Sequence, residues 1–162
     1  MKYMVAVTSP KKSENVIDIA AAHAQGMGAE LVVLRVLPDP KKVGVVAQLI
    51  SSDRPQEKAS EHVDMIVNRL KERGIECSGE IRTGPVAKGI VRAAEEHDVD
   101  MLFAGACHPD DRGFILGQTD PIMKYLVDNL PMSLCVVRTT SSEDEESDSA
   151  IEAESSSDTD SN

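Results

Sequence analysis

The sequence has almost no large aromatic residues: among 162 residues there is no Trp, and there are two Tyr and two Phe. An aromatic core is therefore excluded, and Val, Ile, Leu, Met and Ala must fill the interior. The length suits a single domain, because domains have roughly 100–200 residues. A domain of about 150 residues buries roughly 70% of the surface that its unfolded chain exposes, so these aliphatic residues can form a substantial core.

Cysteine is also scarce. The three cysteines, Cys77, Cys107 and Cys135, are far apart, and no Cys-x-x-Cys pair occurs. This spacing argues against a metal cluster or a disulfide framework and favours a reducing compartment. The apolar run in the N-terminal segment MKYMVAVTSP is too short for a signal peptide or a membrane span. We therefore expect a cytoplasmic protein without membrane insertion.

No cluster of basic residues stands out, and no Lys or Arg follows Arg138. Nine carboxylates come after Arg138, and removing them from the 28 acidic residues leaves 19 against 17 basic residues, a balance of −2. The net charge of -11 therefore belongs mostly to the C-terminal segment. Without a basic patch, nucleic acid is not an expected partner.

Residues 139–162 consist largely of Ser, Thr, Asp and Glu, with almost no apolar side chain. Such a segment cannot bury enough surface to offset its ordering entropy, so we predict a disordered acidic tail. Two roles stay open: a solubilising tail, or a phosphorylation or interaction tail, since serines flank the acidic run EDEE. We divide the chain into a folded domain, residues 1–138, and this tail, 139–162.

Apolar runs alternate with helical patterns along the folded domain. Four apolar runs are predicted strands, at residues 3–8, 31–37, 101–106 and 133–138, and the weakly alternating stretch 76–82 is predicted to be a more exposed strand. Four helices are predicted: from Ser13 as N-cap to Gly26 and Gly28, from about Pro55 to Arg73, from Pro85, and from Pro121 with Asp120 as N-cap. The alternation predicts a doubly wound α/β fold whose parallel sheet is covered on both faces. Residues 38–54 are interpreted as a flexible lid or a short helix.

Ligands of open α/β sheets bind at the carboxyl ends of the strands. The loops that follow the first, second and fourth strands are therefore candidates, at residues 8–10, 36–38 and 105–120. In the last loop, glycines such as Gly105 permit close approach of a ligand, and His108 is a candidate phosphate or acid–base group. The alternative for His108 is a loop histidine without a partner. No nucleophile–base–acid set is visible, so we do not expect an enzyme.

Three stretches resemble the universal stress protein family. They are VAVTSPKKSENVIDIAAAHAQGMGAELVVLRVLPD, EIRTGPVAKGIVRAAEEHDVDMLFAGA and LPMSLCVVR, and the resemblance extends over residues 1–138. It implies a five-stranded parallel sheet of order 3-2-1-4-5 and a cytoplasmic protein with a stress or regulatory role. It also implies that the last strand lies at a sheet edge, where we expect a homodimer to form through Ser133–Arg138.

The resemblance further implies a nucleotide site. Many members of the family bind ATP through a motif written G-2x-G-9x-G-[ST]. Counted from Gly105, His108 and Gln118 stand at the second and third glycine positions, Thr119 stands at the hydroxyl position, and Gly117 comes one place early. The match in this loop is therefore partial.

Two further positions follow from the resemblance. Thr8 stands where the family has a carboxylate that holds the nucleoside, and Val36 stands where the backbone contacts adenine. These departures lead us to expect a regulatory or binding module with a degenerate nucleotide site and no catalytic residues, acting through a protein partner or a small ligand. One alternative is an ATP-binding or slowly ATP-hydrolysing member in which Thr119, His108 and Arg112 hold the phosphates of ATP with Mg. The other is a soluble regulator associated with a transporter.

Overall fold

The fold comes from a computed structural model that describes residues 1–39, 55–107 and 120–139. Within these residues the strands are β1 (Lys2–Val7), β2 (Glu30–Leu37), β3 (Cys77–Thr83), β4 (Met101–Cys107) and β5 (Ser133–Thr139). The helices are α1 (Pro10–Met27), α2 (Pro55–Glu72), α3 (Val86–Glu96) and α4 (Pro121–Asn129). This order confirms the predicted alternation. The interpretation of residues 40–54 and the predicted tail from residue 140 lie outside the described residues.

The five strands are parallel, and they lie in the order β3-β2-β1-β4-β5. Both the parallel sheet and its strand order are as expected. Side chains alternate between the two faces of each strand. Val5, Val33 and Phe103 face a layer formed by α1 and α2. Met4 and Val32 face the layer formed by α3 and α4.

The first helix begins earlier than predicted. Ser9 is its N-cap and Pro10 is its first residue, whereas Ser13 lies inside the helix and is 1% exposed. Proline suits the first helical position because its fixed φ matches the helix and it lacks an N–H that would stay unpaired there. The prediction of Ser13 as N-cap is therefore wrong. The predicted C-terminus is confirmed by Gly28, which is left-handed with φ +61°.

The remaining helices begin close to their predicted positions. α2 runs from Pro55 to Glu72 and α4 begins at Pro121, while α3 has Pro85 as its N-cap and begins one residue later.

None of the helices in the described ranges is both long enough and apolar enough to cross a membrane.

A glycine allows α2 to lie close against β3. A β-carbon added at Gly79 would lie 2.5 Å from Cγ1 of Val63 and 3.1 Å from Cγ2 of Val67. Both valines are buried in α2. The helix therefore packs on the strand backbone at this point, and an added methyl group has no room.

We expect Gly79→Ala to lower the free energy of unfolding by about 1–3 kcal/mol, the usual cost of overpacking a core. Val63 is branched at its β-carbon and has few rotamers with which to move aside. Urea unfolding measures the effect. Gly26→Ala is the matched control, because a β-carbon there meets nothing within 4 Å. Ala is favoured over Gly in a helix by roughly 0.5–1 kcal/mol, so the control should be neutral or stabilising; equal losses in both variants would contradict the prediction.

Candidate functional site

A cleft opens at the carboxyl ends of β1 and β4. The strand order reverses here, since β2 lies on one side of β1 and β4 on the other. Open α/β sheets bind ligands at such a switch point. The cleft has a volume of about 320 Å³, near the lower end of the range of about 300–1,000 Å³ that is usual for small-molecule sites.

The walls of the cleft are mostly apolar. They are formed by side chains of β1, β2, β4, α3 and α4, among them Leu34, Val36, Ile90, Met123 and Leu126. Such walls suit a flat apolar ring, while a few polar groups fix its orientation. The polar lining residues among those described come from the loop after β1, the first turn of α1 and the start of α4.

Thr8 and Ser13 join the end of β1 to the first turn of α1. The backbone N–H of Thr8 donates to the hydroxyl of Ser13 at 2.8 Å, and the two hydroxyl oxygens lie 3.5 Å apart. Ser13 is fully buried, and both residues line the cleft. The cleft therefore presents neutral hydroxyl groups where the family resemblance implies a carboxylate.

Asp120 lines the cleft at the start of α4. Its Oδ1 accepts hydrogen bonds from the N–H groups of Ile122 at 2.9 Å and Met123 at 3.3 Å, which confirms the predicted N-cap. Pro121 has no N–H to donate. The first N–H groups of α4 are therefore already paired, and the cap adds negative charge to this side of the cleft.

Lys12 is the basic residue among the described lining residues, and it belongs to the first turn of α1. This first turn contains no acidic residue, and the N-cap Ser9 makes no side-chain capping hydrogen bond. The α1 side of the cleft is therefore positive, whereas the α4 side is negative.

The structure brings three of the predicted site residues, Thr8, Val36 and Gly105, to this one cleft. The other five lie outside the described residues: His108, Arg112, Gly117, Gln118 and Thr119. Sequence analysis did not assign Lys12 and Ser13 to the site. The Ser-Pro pair at residues 9 and 10 was the signal that could have placed both in the first turn of α1.

Residues 1–138 match the model of the universal stress protein family. The chain belongs to this family. No protein with a curated description matches it. Solved structures with the same fold include the universal stress protein UspA from Lactobacillus plantarum, at 21% identity and a TM-score of 0.69, covering 85% of this chain and 97% of that one.

Two other solved structures of the family hold nucleotides. A universal stress protein from Archaeoglobus fulgidus in complex with dAMP is 19% identical, with 84% of this chain and 96% of that one covered at a TM-score of 0.62. A family protein from Arabidopsis thaliana with AMP bound is 18% identical, with 85% of this chain and 91% of that one covered at a TM-score of 0.63. At identities this low, the structural likeness shows that the fold is shared and shows nothing further.

Among the described residues, four groups with a displaced pKa lie away from the cleft. Burial raises the pKa of the Cys77 thiol. For Glu80, burial acts to raise the pKa, but the hydrogen bonds from Arg82 and His97 outweigh burial. The net pKa of Glu80 is therefore lowered. The pKa of Arg82 is raised, first by its hydrogen bond to Glu96.

Among the described residues, no group of three or more His, Cys, Asp or Glu side chains could hold a metal ion.

The fourth group is His62, which is buried in α2. Its Nδ1 lies 3.2 Å from Nη1 of Arg35, and because a guanidinium can only donate, Nδ1 accepts and the imidazole is neutral. Burial lowers the pKa of His62, and Arg35 lowers it further. Glu14 raises it and Arg69 lowers it, and the net shift is downward from 6.5.

We expect the protein to lose stability as the pH falls below about 6.5, the reference pKa of histidine. The unfolded chain then takes up a proton on His62 that the folded state resists, which favours unfolding. His62→Gln should reduce the difference between the free energies of unfolding measured in urea at about pH 7.5 and at about pH 5.5. The same pH dependence in His62→Gln and wild type would show that His62 is not responsible.

Proposed function

We propose that this protein is a non-catalytic regulatory module that binds a nucleoside or a nucleoside monophosphate in the cleft. The observation that carries the proposal is the cleft at the β1–β4 switch point, whose described lining residues are mostly apolar. The family membership and the relatives with dAMP and AMP support this class of ligand.

The charges around the cleft favour a ligand with few phosphates. Lys12 supplies positive charge on one side of the cleft, whereas Asp120 places a carboxylate on the other side, at the start of α4. At about 4 Å, two like unit charges repel by roughly 4 kcal/mol at an effective dielectric constant of 20. The N–H groups of α4 are paired with Asp120, so they are not available to phosphate oxygens. We therefore propose that the site is degenerate towards ATP with Mg.

The polar lining residues support binding without turnover. The described lining residues include no His, Cys or Glu, and Asp120 is engaged as a helix cap. The hydroxyl of Ser13 accepts a hydrogen bond from the N–H of Thr8. No general base lies among the described lining residues to activate this hydroxyl. Hydrolysis needs a group that moves a proton at the reacting atoms.

A reducing, cytoplasmic location is part of the proposal. Cys77 and Cys135 are free thiols. Free cysteines without disulfide partners are typical of reducing compartments.

Calorimetry with adenosine, AMP and ATP with Mg tests the proposal on the full chain. We expect adenosine or AMP to bind more tightly than ATP, whose dissociation constant should exceed about 100 μM. Asp120→Asn keeps a good N-cap but removes the charge, so it should strengthen ATP binding several-fold and leave adenosine unchanged. Asp128→Asn is the matched control, because it removes a charge from the same helix away from the cleft.

Two outcomes would contradict this prediction. A dissociation constant for ATP near or below about 10 μM in the wild type would mean that the site is not degenerate. The alternative with an ATP-binding variant loop would then hold. If none of the three ligands binds, the cleft is not a nucleotide site.

We also propose that two copies pair through the open edge of β5. Among the described strands β5 pairs only with β4, and the apolar side chain of Val136 on β5 is 39% exposed. An open apolar edge strand favours pairing with another strand, and two identical edges meet around a twofold axis. The opposite edge, β3, instead carries an ion-pair network of Glu80 and Arg82, and charged side chains protect edges from pairing.

We expect Val136→Lys to convert the dimer into a monomer, because the twofold axis would bring two like charges into an apolar contact. Sedimentation at micromolar concentration measures the change. Ser78→Lys adds the same charge to an exposed position of the other edge strand, β3, and should leave the dimer intact. A wild type that is monomeric at this concentration would overturn the proposal.

A further inference from the structure

We infer that Gly89 sets the width of the cleft, because the absence of a side chain at residue 89 lets Val36 lie close against α3. This contact limits the size of the ligand ring that can enter the cleft. The inference rests on the proposed function, because it concerns the same cleft. It assigns a positioning role to a residue that does not itself line the cleft.

The contact between α3 and β2 leaves no room for a side chain at Gly89. A β-carbon built there would lie 2.9 Å from Cγ1 and 3.3 Å from Cγ2 of Val36. The N–H of Gly89 donates to the carbonyl of Pro85 at 2.8 Å, so the residue lies in regular helix and its backbone angles do not require glycine. Glycine is a poor helix former, and close approach to Val36 is the physical reason for its presence here.

Val36 stands between α3 and the cleft. It lines the cleft together with Val86 and Ile90, the residues of α3 on either side of Gly89. On the strand, Val36 is paired with Arg82 of β3, but the pairing of β2 with β1 ends one residue earlier, at Arg35. Val36 therefore extends one residue beyond the ladder with β1, and a methyl group at residue 89 would displace its side chain relative to the cleft that it lines.

The consequence is a size limit on the apolar part of the ligand. The position of Val36 depends on what faces it from α3, and Val is branched at its β-carbon with few rotamers to choose from. A methyl group at residue 89 would therefore narrow the cleft, whereas removing the two methyl groups of Val36 would compensate for it.

The test compares Gly89→Ala, Val36→Ala and the double variant in adenosine binding by calorimetry. We expect Gly89→Ala to weaken adenosine binding by about tenfold or more. The double variant should return to within about threefold of Val36→Ala alone, since the two residues are coupled through one contact. Gly79→Ala is the matched control: it places a methyl group 2.5 Å from Val63, outside the cleft. It should lower the thermal midpoint without changing the affinity for adenosine.

The outcomes separate this inference from the proposed function. Unchanged adenosine affinity in folded Gly89→Ala overturns the inference alone, as does a double variant that stays as weak as Gly89→Ala. A wild type that binds neither adenosine nor AMP overturns the proposed function and the inference with it. If Gly89→Ala does not fold, Val36→Ile replaces it, because it adds a methyl group at the same contact without altering the helix. The same loss of affinity is then expected, and unchanged affinity overturns the inference.

Discussion

A parallel sheet has to be covered on both faces, and most of this structure follows from that constraint. Met4 and Val5, which point to opposite faces of the central strand β1, are both completely buried. With few aromatic side chains to fill the space, the layers meet through small ones. Ala20 and Ala24 of α1 and Ala94 of α3 are buried in the two cores. Helices with such surfaces can lie close to a sheet, so small changes in side-chain volume at these contacts disturb the packing.

The cleft arises from the same arrangement of layers. α1 lies on one face of the sheet, and α3 and α4 lie on the other, so the carboxyl ends of β1 and β4 remain between them. Two of the described polar groups at this position bond within the protein: Asp120 pairs with the start of α4, and Ser13 pairs with the backbone of Thr8. The described walls are mostly apolar, as is usual for small-molecule sites.

Membership of a family establishes the fold more firmly than the ligand, because function depends on individual side chains grafted on a common scaffold. The two nucleotide complexes share 19% and 18% of their residues with this chain. Packing around the cleft connects the scaffold to the ligand. Gly79 and Gly89 make the same kind of contact with a valine on opposite faces of the sheet, but only the valine that faces Gly89 also lines the cleft.

The order of strands and helices could be predicted from the sequence, because apolar runs and helix ends such as Asp120 act over a few neighbouring residues. The strand order followed from family resemblance, since the pattern of a single strand does not specify its neighbours. The start of α1 was placed wrongly because Ser13 satisfies a local capping pattern, while its hydroxyl is engaged by Thr8. Local sequence by itself determined the elements and most of their ends, but not the start of α1. Only the tertiary structure decided which side chains meet at the cleft: Val36 and Gly89 contact each other across more than fifty residues of chain, and no local pattern encodes such a contact.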